Sequence, residues 1–375
     1  MMLVCEQVLT RDGWRHHQLI TVEHGRISSI GPAPAQHHYP VYQGRLVPGF
    51  IDIQVNGGGG VLFNQDCDVD GLQKMMQAHL AHGTTAMLPT LITDDYATMA
   101  KAAAAVRQAR QQKVPGIVGV HFEGPWLAAK RKGVHREAFI RPPTAAELDL
   151  LTDPELGVVM VTLAPETVAP EVIQRLSHAG VKVFLGHSDA TAAQVNAALD
   201  AGAIGFTHLY NAMSQLHSRA PGMVGVCLAR DAYAGIIVDG YHVDPQACQI
   251  AFRAKGKTQM MLVTDAMALA ATTQTHTPFF DTEIQRHGDK LTTPDGTLAG
   301  SSLTMLEAVK NTVSQCQVPL TDALEMASLT PAKAIALEHE HGAIAEGHYA
   351  NFMLLDADLS ITQLWLHGVA TRKEH

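Results

Sequence analysis

The chain has 375 residues, 46% of them hydrophobic, and a net charge of −9 at pH 7, which permits one large domain or two moderate ones with a sizeable core. The acidic balance disfavours nucleic acid and anionic membrane as partners, and no apolar run approaches the roughly 18 residues that a membrane helix requires. Five cysteines without CxxC spacing and a first segment without a targeting pattern predict a soluble cytoplasmic protein that uses neither disulfides nor thiolate metal sites.

Both ends of the chain carry short segments in which hydrophobic and polar residues alternate. These segments include residues 18–23 and 26–30 near the start and residues 350–355 and 361–366 near the end. Turn-rich sequences such as HG and GPAP separate them, which is typical of an antiparallel sheet. We therefore predict that residues 1–47 and 345–375 form one small, discontinuous β-sandwich domain, in preference to two independent ends.

The middle of the chain has a different pattern, in which apolar runs alternate with alanine-rich helical stretches, as in parallel βα units. Eight runs occur, at residues 50–55, 84–88, 117–121, 158–163, 181–185, 203–207, 235–238 and 260–263. A doubly wound sheet usually has fewer strands, whereas eight units within residues 48–344 fit a TIM-like barrel. The predicted fold class is therefore α/β, with a (β/α)8 barrel and a small β domain.

Polar residues follow these runs, at the position where each predicted strand ends. They are Gln54 and Asn56, Thr90, Glu123, Glu166, His187, His208, Asp239 with His242, and Asp265. A barrel brings the carboxyl ends of its strands to one face, and the active sites of such barrels lie at that face. A solvated loop could supply any one of these residues, but their repetition favours a shared site.

Residues 181–213 carry two histidines, His187 and His208, at the ends of two successive runs. The alanine-rich segment between them, with Ser188 and Asp189 as candidate helix caps, makes this a strand–helix–strand unit. A right-handed crossover places the two strands side by side in the same direction, so both imidazoles would face one spot. Either histidine alone fits a hydrogen-bonded strand end, but the pair favours a shared metal.

Two carboxylates complete the predicted site. Glu123, after the third strand, can act as a third metal ligand, although a capped turn or a surface ion pair also accounts for it. One carboxylate and two imidazoles with an open position form a catalytic zinc arrangement. Asp265, after the eighth strand, is the candidate general base, with a helix cap as its alternative. His121, two residues before Glu123, is expected to point away from the site or to support a neighbour.

Six sequence motifs carry a family resemblance. HFEGPWL, GHSDAT, THLYNAM, VDGYHVD, LVTDAM and GTLAGSSLTM occur in this order, between PGFIDIQVNGGGG at residues 48–60 and GHYANFMLLD near the end. The chain resembles the N-acetylglucosamine-6-phosphate deacetylases of the amidohydrolase superfamily along nearly its whole length. The resemblance implies hydrolysis of the N-acetyl group of N-acetyl-D-glucosamine 6-phosphate to glucosamine 6-phosphate and acetate.

The same resemblance implies a role for each residue of the reacting centre. Glu123, His187 and His208 would bind one divalent metal per subunit, with zinc favoured and iron, manganese or cobalt as alternatives. Asp265 would activate water and later protonate the amine. His135, in the sequence RKGVH, would polarise the acetyl carbonyl, whereas without the resemblance it is a surface-loop histidine.

The resemblance also implies how the sugar phosphate is held, since the chain has neither a P-loop nor a GxGxxG motif. The expected phosphate contacts are Asn211, the backbone N–H of Ala212, His242 and Arg219. Arg219 would reach into the partner subunit's site, which implies a homodimer, although taken alone it is a solvated loop cation. Leu298, in the glycine-rich segment 296–302, would shape the sugar and acetyl pocket, in preference to an anion site at the start of a helix.

One segment departs from the pattern of many amidohydrolases, which begin the first barrel strand with HxH. This chain has Gln54-Val55-Asn56 there, and a neutral amide is a poor transition-metal ligand beside imidazole. Gln54 and Asn56 are therefore expected to mark a vestigial second metal site that is weak or absent. Two other functions stay open, namely another amidohydrolase reaction, such as deamination of a nucleobase or opening of a cyclic amide, and a catalytically silent sugar-phosphate sensor.

Overall fold

A computed structural model describes residues 1–371, and residues 372–375, which end the predicted small domain, lie outside the described residues. The strands are β1 (Met2–Thr10), β2 (Gly13–Glu23), β3 (Arg26–Pro32), β4 (Val41–Pro48), β5 (Phe50–Val55), β6 (Gly57–Gly58), β7 (Val61–Leu62), β8 (Thr84–Ile92), β9 (Gly119–Glu123), β10 (Val158–Leu163), β11 (Lys182–Leu185), β12 (Gly205–Phe206), β13 (Tyr233–Ile236), β14 (Met260–Leu262), β15 (His276–Phe279), β16 (Thr282–His287), β17 (Lys290–Thr292), β18 (Phe352–Leu355), β19 (Ile361–Leu366) and β20 (Val369–Ala370). The α-helices are α1 (Val69–Leu80), α2 (Tyr96–Gln111), α3 (Ala145–Leu151), α4 (Pro170–His178), α5 (Ala192–Asp200), α6 (Gly222–Ala229), α7 (Pro245–Lys255), α8 (Met305–Ser314), α9 (Leu320–Met326) and α10 (Leu329–Ala334). Within residues 1–371, no helix combines the length and the hydropathy needed to cross a membrane.

Eight parallel strands form the barrel, in the order β5, β8, β9, β10, β11, β12, β13 and β14. The barrel closes between its first and last strands, where Val55 forms a parallel bridge with Ala266 and the Asp265 N–H donates to the Gln54 carbonyl at 3.0 Å. Every residue of β5, β8 and β9 is buried, because helices cover the outer face of the sheet while side chains fill its interior. The predicted (β/α)8 architecture is confirmed.

Each of the eight predicted apolar runs overlaps one barrel strand. Two runs match their strands at both ends, β5 and β10, whereas β12 comprises only Gly205–Phe206. The predicted caps of the helix between β11 and β12, Ser188 and Asp189, were wrong. The N-cap of α5 is Thr191, which forms a capping box with Gln194. The Ser188 hydroxyl and the Asp189 N–H instead donate to the carboxylate of Glu166, each at 2.6 Å, which ties the loop after β11 to the loop after β10.

Strands from both ends of the chain form one seven-stranded sheet, in the order β20, β19, β18, β4, β1, β2 and β3. All neighbours are antiparallel except β1 and β4. The sheet folds back on itself, since the Ala350 N–H donates to the Gly25 carbonyl at 2.8 Å and the Gly368 N–H donates to the Ala350 carbonyl at 2.9 Å. Its own core includes Ile20, Phe352 and Trp365. The expected β unit built from both termini is confirmed.

A small antiparallel sheet of β15, β16 and β17, which we call the flap, follows the eighth barrel strand and has no counterpart in the sequence prediction. Its apolar residues pack with Met267 and Leu269, just after Asp265. At its tip, the guanidinium of Arg136 lies 5.2 Å from the centroid of the Phe280 ring and 3.3 Å from the Asp281 carboxylate. The flap therefore contacts the loop that carries His135.

Candidate active site

Three predicted ligands converge at the carboxyl ends of β9, β11 and β12. The Nε2 atom of His208 lies 3.0 Å from the Oε1 atom of Glu123 and 3.0 Å from the Nε2 atom of His187. The His187 Nε2 atom lies 3.2 Å from the same Glu123 oxygen. All three side chains are buried, so their electron-pair donors form one compact triangle that is shielded from bulk water.

The hydrogen bonds around this triangle set its protonation. The Nδ1 atom of His187 lies 2.8 Å from the backbone carbonyl of Arg131, and a carbonyl only accepts, so Nδ1 carries the proton and Nε2 presents a lone pair to the triangle. Burial alone would raise the pKa of Glu123, but the adjacent imidazoles of His187 and His208 hold it well below its usual range. Glu123 is therefore a carboxylate at neutral pH.

This donor set fits a divalent metal ion. Four ligands placed tetrahedrally at about 2.0–2.1 Å from a zinc ion stand roughly 3.3–3.4 Å apart, and the three donor atoms here are separated by 3.0–3.2 Å. A carboxylate with two imidazoles leaves at least one coordination position open. The geometry and the charge are those of a catalytic centre rather than of a closed structural one.

His135 lies beside this triangle, with its ring centroid 4.4 Å from that of His187. Glu123, His135 and His187 also offer donor atoms within 4.8 Å of one another, which makes His135 an alternative ligand to His208. The Nδ1 atom of His135 is held by Thr93, since it lies 2.8 Å from the hydroxyl and 3.3 Å from the backbone nitrogen of that residue. The Nε2 atom of His208 lies 3.0 Å from both Glu123 Oε1 and His187 Nε2, and this geometry favours His208 as the third ligand.

The protonation of His135 suits it to donate a hydrogen bond. Burial, together with the nearby His187, holds its pKa well below the usual range, so the ring is neutral at pH 7. The side chain is 3% exposed and lines the cavity beside Glu123, His187 and His208, which we call the metal triangle. A fixed neutral donor in such a place can stabilise negative charge that develops on a substrate oxygen.

The carboxylate of Asp265 lies on the other side of the triangle. Its Oδ1 atom accepts hydrogen bonds from the side-chain amides of Asn56 at 2.6 Å and Gln54 at 3.1 Å. Burial, and then the charge of Glu123, raise the pKa of Asp265 to about 6. A carboxyl group with a pKa close to neutrality can both accept and return a proton during one reaction cycle.

The predicted site residues line a common cavity of about 240 Å³, with the exception of Gln54 and Arg219. They are Asn56, Glu123, His135, His187, His208, Asn211, Ala212, His242, Asp265 and Leu298. The cavity also contains residues that the sequence analysis did not single out: Val134, Met267, Thr297 and Gly300. Strand ends therefore supply the reacting groups, and the loops after β9 and β14 supply the walls.

The chain was compared with known proteins. The pattern of the amidohydrolase family matches residues 45–371. The chain belongs to the amidohydrolase family. It is 45% identical to an N-acetylgalactosamine-6-phosphate deacetylase from Shewanella sp. (strain ANA-3), over 98% of this chain and 95% of that protein. It is 36% identical to an N-acetylglucosamine-6-phosphate deacetylase from Vibrio furnissii, over 97% of this chain and 93% of the other.

A solved structure supports the same assignment. The crystal structure of N-acetylglucosamine-6-phosphate deacetylase from Pasteurella multocida superposes on this amidohydrolase with a TM-score of 0.95 and 35% sequence identity, and the match covers 100% of both chains. Family membership and the cluster of histidine and glutamate donors together indicate a divalent metal.

The far end of the cavity of this amidohydrolase has two features that suit an anion. No residue of the described range 1–371 accepts a hydrogen bond from the Ala212 N–H, which leaves this donor for a ligand. His242 is held by Asp239, whose Oδ2 lies 2.6 Å from Nδ1 of the imidazole and whose Oδ1 accepts the backbone N–H of His242. The pKa of Asp239 is lowered because hydrogen bonds and the charge of His242 outweigh its burial.

Arg219 does not line this cavity. It is exposed and lies on a separate surface cavity of about 490 Å³, whose lining also includes Arg131, Asp189 and His217. Within one subunit, Arg219 is therefore apart from the other predicted phosphate contacts, and its predicted role requires a second subunit.

Of the two expectations for His121, that it points away from the site or that it supports a neighbour, the structure agrees with the second. His121 is two residues before Glu123, so both side chains lie on the same face of β9. His121 is fully buried inside the barrel, with Nδ1 3.0 Å from the Thr90 hydroxyl and Nε2 2.8 Å from the Thr162 hydroxyl. Burial lowers its pKa to about 4, so it is a neutral hydrogen-bonding support beneath the candidate metal ligands.

Three residues of the candidate site share an unusual backbone conformation. The φ angles of His187, His208 and Asp265 are 48°, 33° and 51°, in the left-handed region that residues with a Cβ atom rarely adopt. Each lies two or three residues after the end of a barrel strand, and the turn aims its side chain across the mouth of the barrel. Such conformations cost of order 1–3 kcal/mol each and persist where the surrounding structure enforces them.

Proposed function

We propose that this amidohydrolase removes the acetyl group from an N-acetylhexosamine 6-phosphate, giving acetate and the amino sugar phosphate. N-Acetyl-D-glucosamine 6-phosphate, which would give glucosamine 6-phosphate, is the substrate that the sequence motifs imply. The observation that carries the proposal is the convergence of the metal triangle, His135 and Asp265 in one cavity. The deacetylases among the relatives, at 45% and 36% identity, support it.

Glu123, His187 and His208 would hold one divalent metal per subunit. We propose zinc, because two imidazoles and a carboxylate suit it, although iron, manganese and cobalt also accept this ligand set. When bound, the metal would act as a Lewis acid that lowers the pKa of water and polarises the acetyl carbonyl.

Asp265 and His135 would divide the proton and charge transfers. Asp265 accepts a proton from the attacking water while the water oxygen forms a bond to the carbonyl carbon. His135 donates a hydrogen bond from Nε2 to the carbonyl oxygen, which gains negative charge in that step. Asp265 then gives the proton to the amide nitrogen, the C–N bond breaks, and the amine leaves.

The phosphate would be bound by Asn211, the Ala212 N–H and His242, with Leu298 shaping the sugar pocket. The unpartnered N–H of Ala212 and the anchored imidazole of His242 support this part of the proposal. Arg219 would come from the partner subunit of a homodimer, since its exposed position leaves it free to do so. We expect no nucleic-acid or membrane partner, and a cytoplasmic location.

A second substrate is favoured by one specific observation. The relative that is 45% identical over 98% of this chain is named for N-acetylgalactosamine 6-phosphate, the epimer that differs at C4. Both epimers present the same acetamido group and phosphate, so the same residues would serve either one.

The decisive experiment measures acetate release from both 6-phosphates by the zinc-loaded enzyme and compares the two values of kcat/KM. Release from either one supports deacetylation, and the larger kcat/KM identifies the preferred epimer. Binding of the sugar phosphate without release would indicate a silent sensor. Absence of both binding and release, with turnover of a nucleobase or a cyclic amide, would indicate another amidohydrolase reaction.

We also propose the domain division as residues 48–344 for the barrel and residues 1–47 with 345–375 for the terminal β unit. The strand order of the two sheets supports this division. Limited proteolysis followed by mass spectrometry would test where the accessible boundaries lie.

A further inference from the structure

The first barrel strand carries two neutral amides between two charged carboxylates. Gln54 and Asn56 are each 1% exposed. The Gln54 Nε2 atom lies 3.2 Å from Glu123 Oε1 and 3.1 Å from Asp265 Oδ1, and Asn56 Nδ2 lies 2.6 Å from the same Asp265 oxygen. The amides therefore connect the metal ligand Glu123 with the candidate base Asp265.

Hydrogen-bond chemistry fixes the orientation of these amides. An ionised carboxylate only accepts, so the nitrogen atoms of Gln54 and Asn56 face Glu123 and Asp265. Both donors act on one oxygen of Asp265, Oδ1, and among residues 1–371 no donor contacts Oδ2. One oxygen of the base is thus held, and the other is left for the reaction.

The same orientation bears on metal binding. A ligand must present a lone pair to the metal, whereas these amides present N–H hydrogens to the space between the two carboxylates. A second cation there would face the N–H groups of both side chains and not their carbonyl oxygens.

From this geometry we infer that Gln54 and Asn56 are positioning residues for Asp265, whose hydrogen bonds occupy the place that a second cation would take. They hold Oδ1 so that Oδ2 points at the attacking water. The inference rests on the proposed deacetylation, because it assigns to Asp265 the role of base. It adds that the precision of proton transfer depends on two uncharged side chains that hydrogen-bond to the base.

The test removes the amide donors and follows kcat, KM and metal content together. Asn56→Leu is nearly isosteric but cannot donate to Asp265. We expect kcat to fall by about 100-fold, as for a base displaced by about 1 Å, while KM stays within about twofold and bound zinc stays at the wild-type amount. Gln54→Leu should lower kcat in the same way.

A matched control uses another buried asparagine. Asn64 is 9% exposed and donates to the Ile92 carbonyl and to Asp94, away from Asp265. Asn64→Leu loses comparable hydrogen bonds, so it should lower the melting temperature without lowering kcat per bound zinc. Asn56→His retains an N–H donor and should recover part of the activity that Asn56→Leu loses.

A crystal structure of zinc-loaded Asn56→Leu provides a readout that does not depend on activity. We expect the Asp265 carboxylate to have rotated while Glu123, His187 and His208 keep their places. Wild-type kcat in Asn56→Leu, an unmoved Asp265, or a loss of zinc in proportion to the loss of kcat would each overturn the inference. If the wild-type enzyme releases no acetate, the proposed function fails, while the crystal structure still reports on the positioning of Asp265.

Discussion

The buried carboxyl group of Asp52 should make the stability of this protein depend on pH. Its carboxyl group is fully buried in the barrel, where it accepts hydrogen bonds from the Thr264 hydroxyl and from the backbone N–H groups of Gln54 and Thr264. Burial raises the pKa of Asp52 to about 7, because these hydrogen bonds offset only part of the loss of hydration. In the unfolded chain the pKa of an aspartate is about 3.9.

The sign and size of the effect follow from linkage. An acid whose pKa is higher in the folded state destabilises the fold as it ionises, so the penalty is absent below about pH 4 and complete above about pH 7. The difference in pKa amounts to a penalty of about 1.5 kcal/mol at pH 5 and about 4 kcal/mol at pH 8. The substitution Asp52→Asn removes this free-energy penalty, because an asparagine does not ionise. The free energy of unfolding of Asp52→Asn minus that of wild type should therefore rise by about 2–3 kcal/mol from pH 5 to pH 8.

Equilibrium urea unfolding at both pH values, followed by circular dichroism, measures this difference. Metal-free protein is used for wild type and variant, because metal binding has a pH dependence of its own. Asp358→Asn, at an exposed position, is the matched control and should show the same difference at pH 5 and pH 8. If Asp52→Asn behaves like that control, Asp52 does not ionise near pH 7 and the reasoning is refuted.

Three further predictions concern the reaction. Asp265→Asn should lower kcat at least 1000-fold, roughly the upper part of the range for a general base, with zinc content close to wild type by mass spectrometry; turnover near the wild-type level would exclude Asp265 as the base. His135→Phe should lower kcat by about 100- to 1000-fold at unchanged zinc content, because it removes the donor to the carbonyl oxygen, whereas loss of zinc would assign His135 as a ligand. If the Arg219→Ala and Asp265→Asn variants are dissociated, mixed and allowed to reassociate, the mixture should recover about a quarter of wild-type activity, since half the dimers are mixed and each mixed dimer has one complete site. No recovery would argue against a site shared between subunits.

The barrel, and the convergence of the strand-end polar residues at one face, could be predicted from the sequence because both depend on short-range patterns. Strands buried on both faces are continuous apolar runs, and the polar residue after each run necessarily lies at one face of a parallel barrel. This reasoning was sufficient to bring Glu123, His187 and His208 together. It required no knowledge of which loops cover the site.

Features that depend on distant contacts were not predictable in this way. The flap consists of short strands in which exposed and partly exposed residues interrupt the apolar pattern. Its few buried side chains are buried because they pack against distant residues such as Met267 and Leu269. The bridge from Gln54 to Asp265 requires the register of the two strands at which the barrel closes. Of the two alternatives for His121, the one in which it points away from the site could have been excluded from the sequence, since residues two apart on a strand share a face.

The left-handed backbone at His187, His208 and Asp265 has a consequence for redesign of this fold. Glycine adopts such φ angles without steric penalty and asparagine tolerates them better than most residues, so a search for the sequence most compatible with this backbone would select against all three reacting residues. A variant such as His187→Gly would relieve the backbone strain but would lose a buried imidazole and its contact with the Arg131 carbonyl, so the strain cannot be removed at this position without a cavity. A redesign that keeps the candidate site must therefore hold these three residues fixed and optimise the sequence around them.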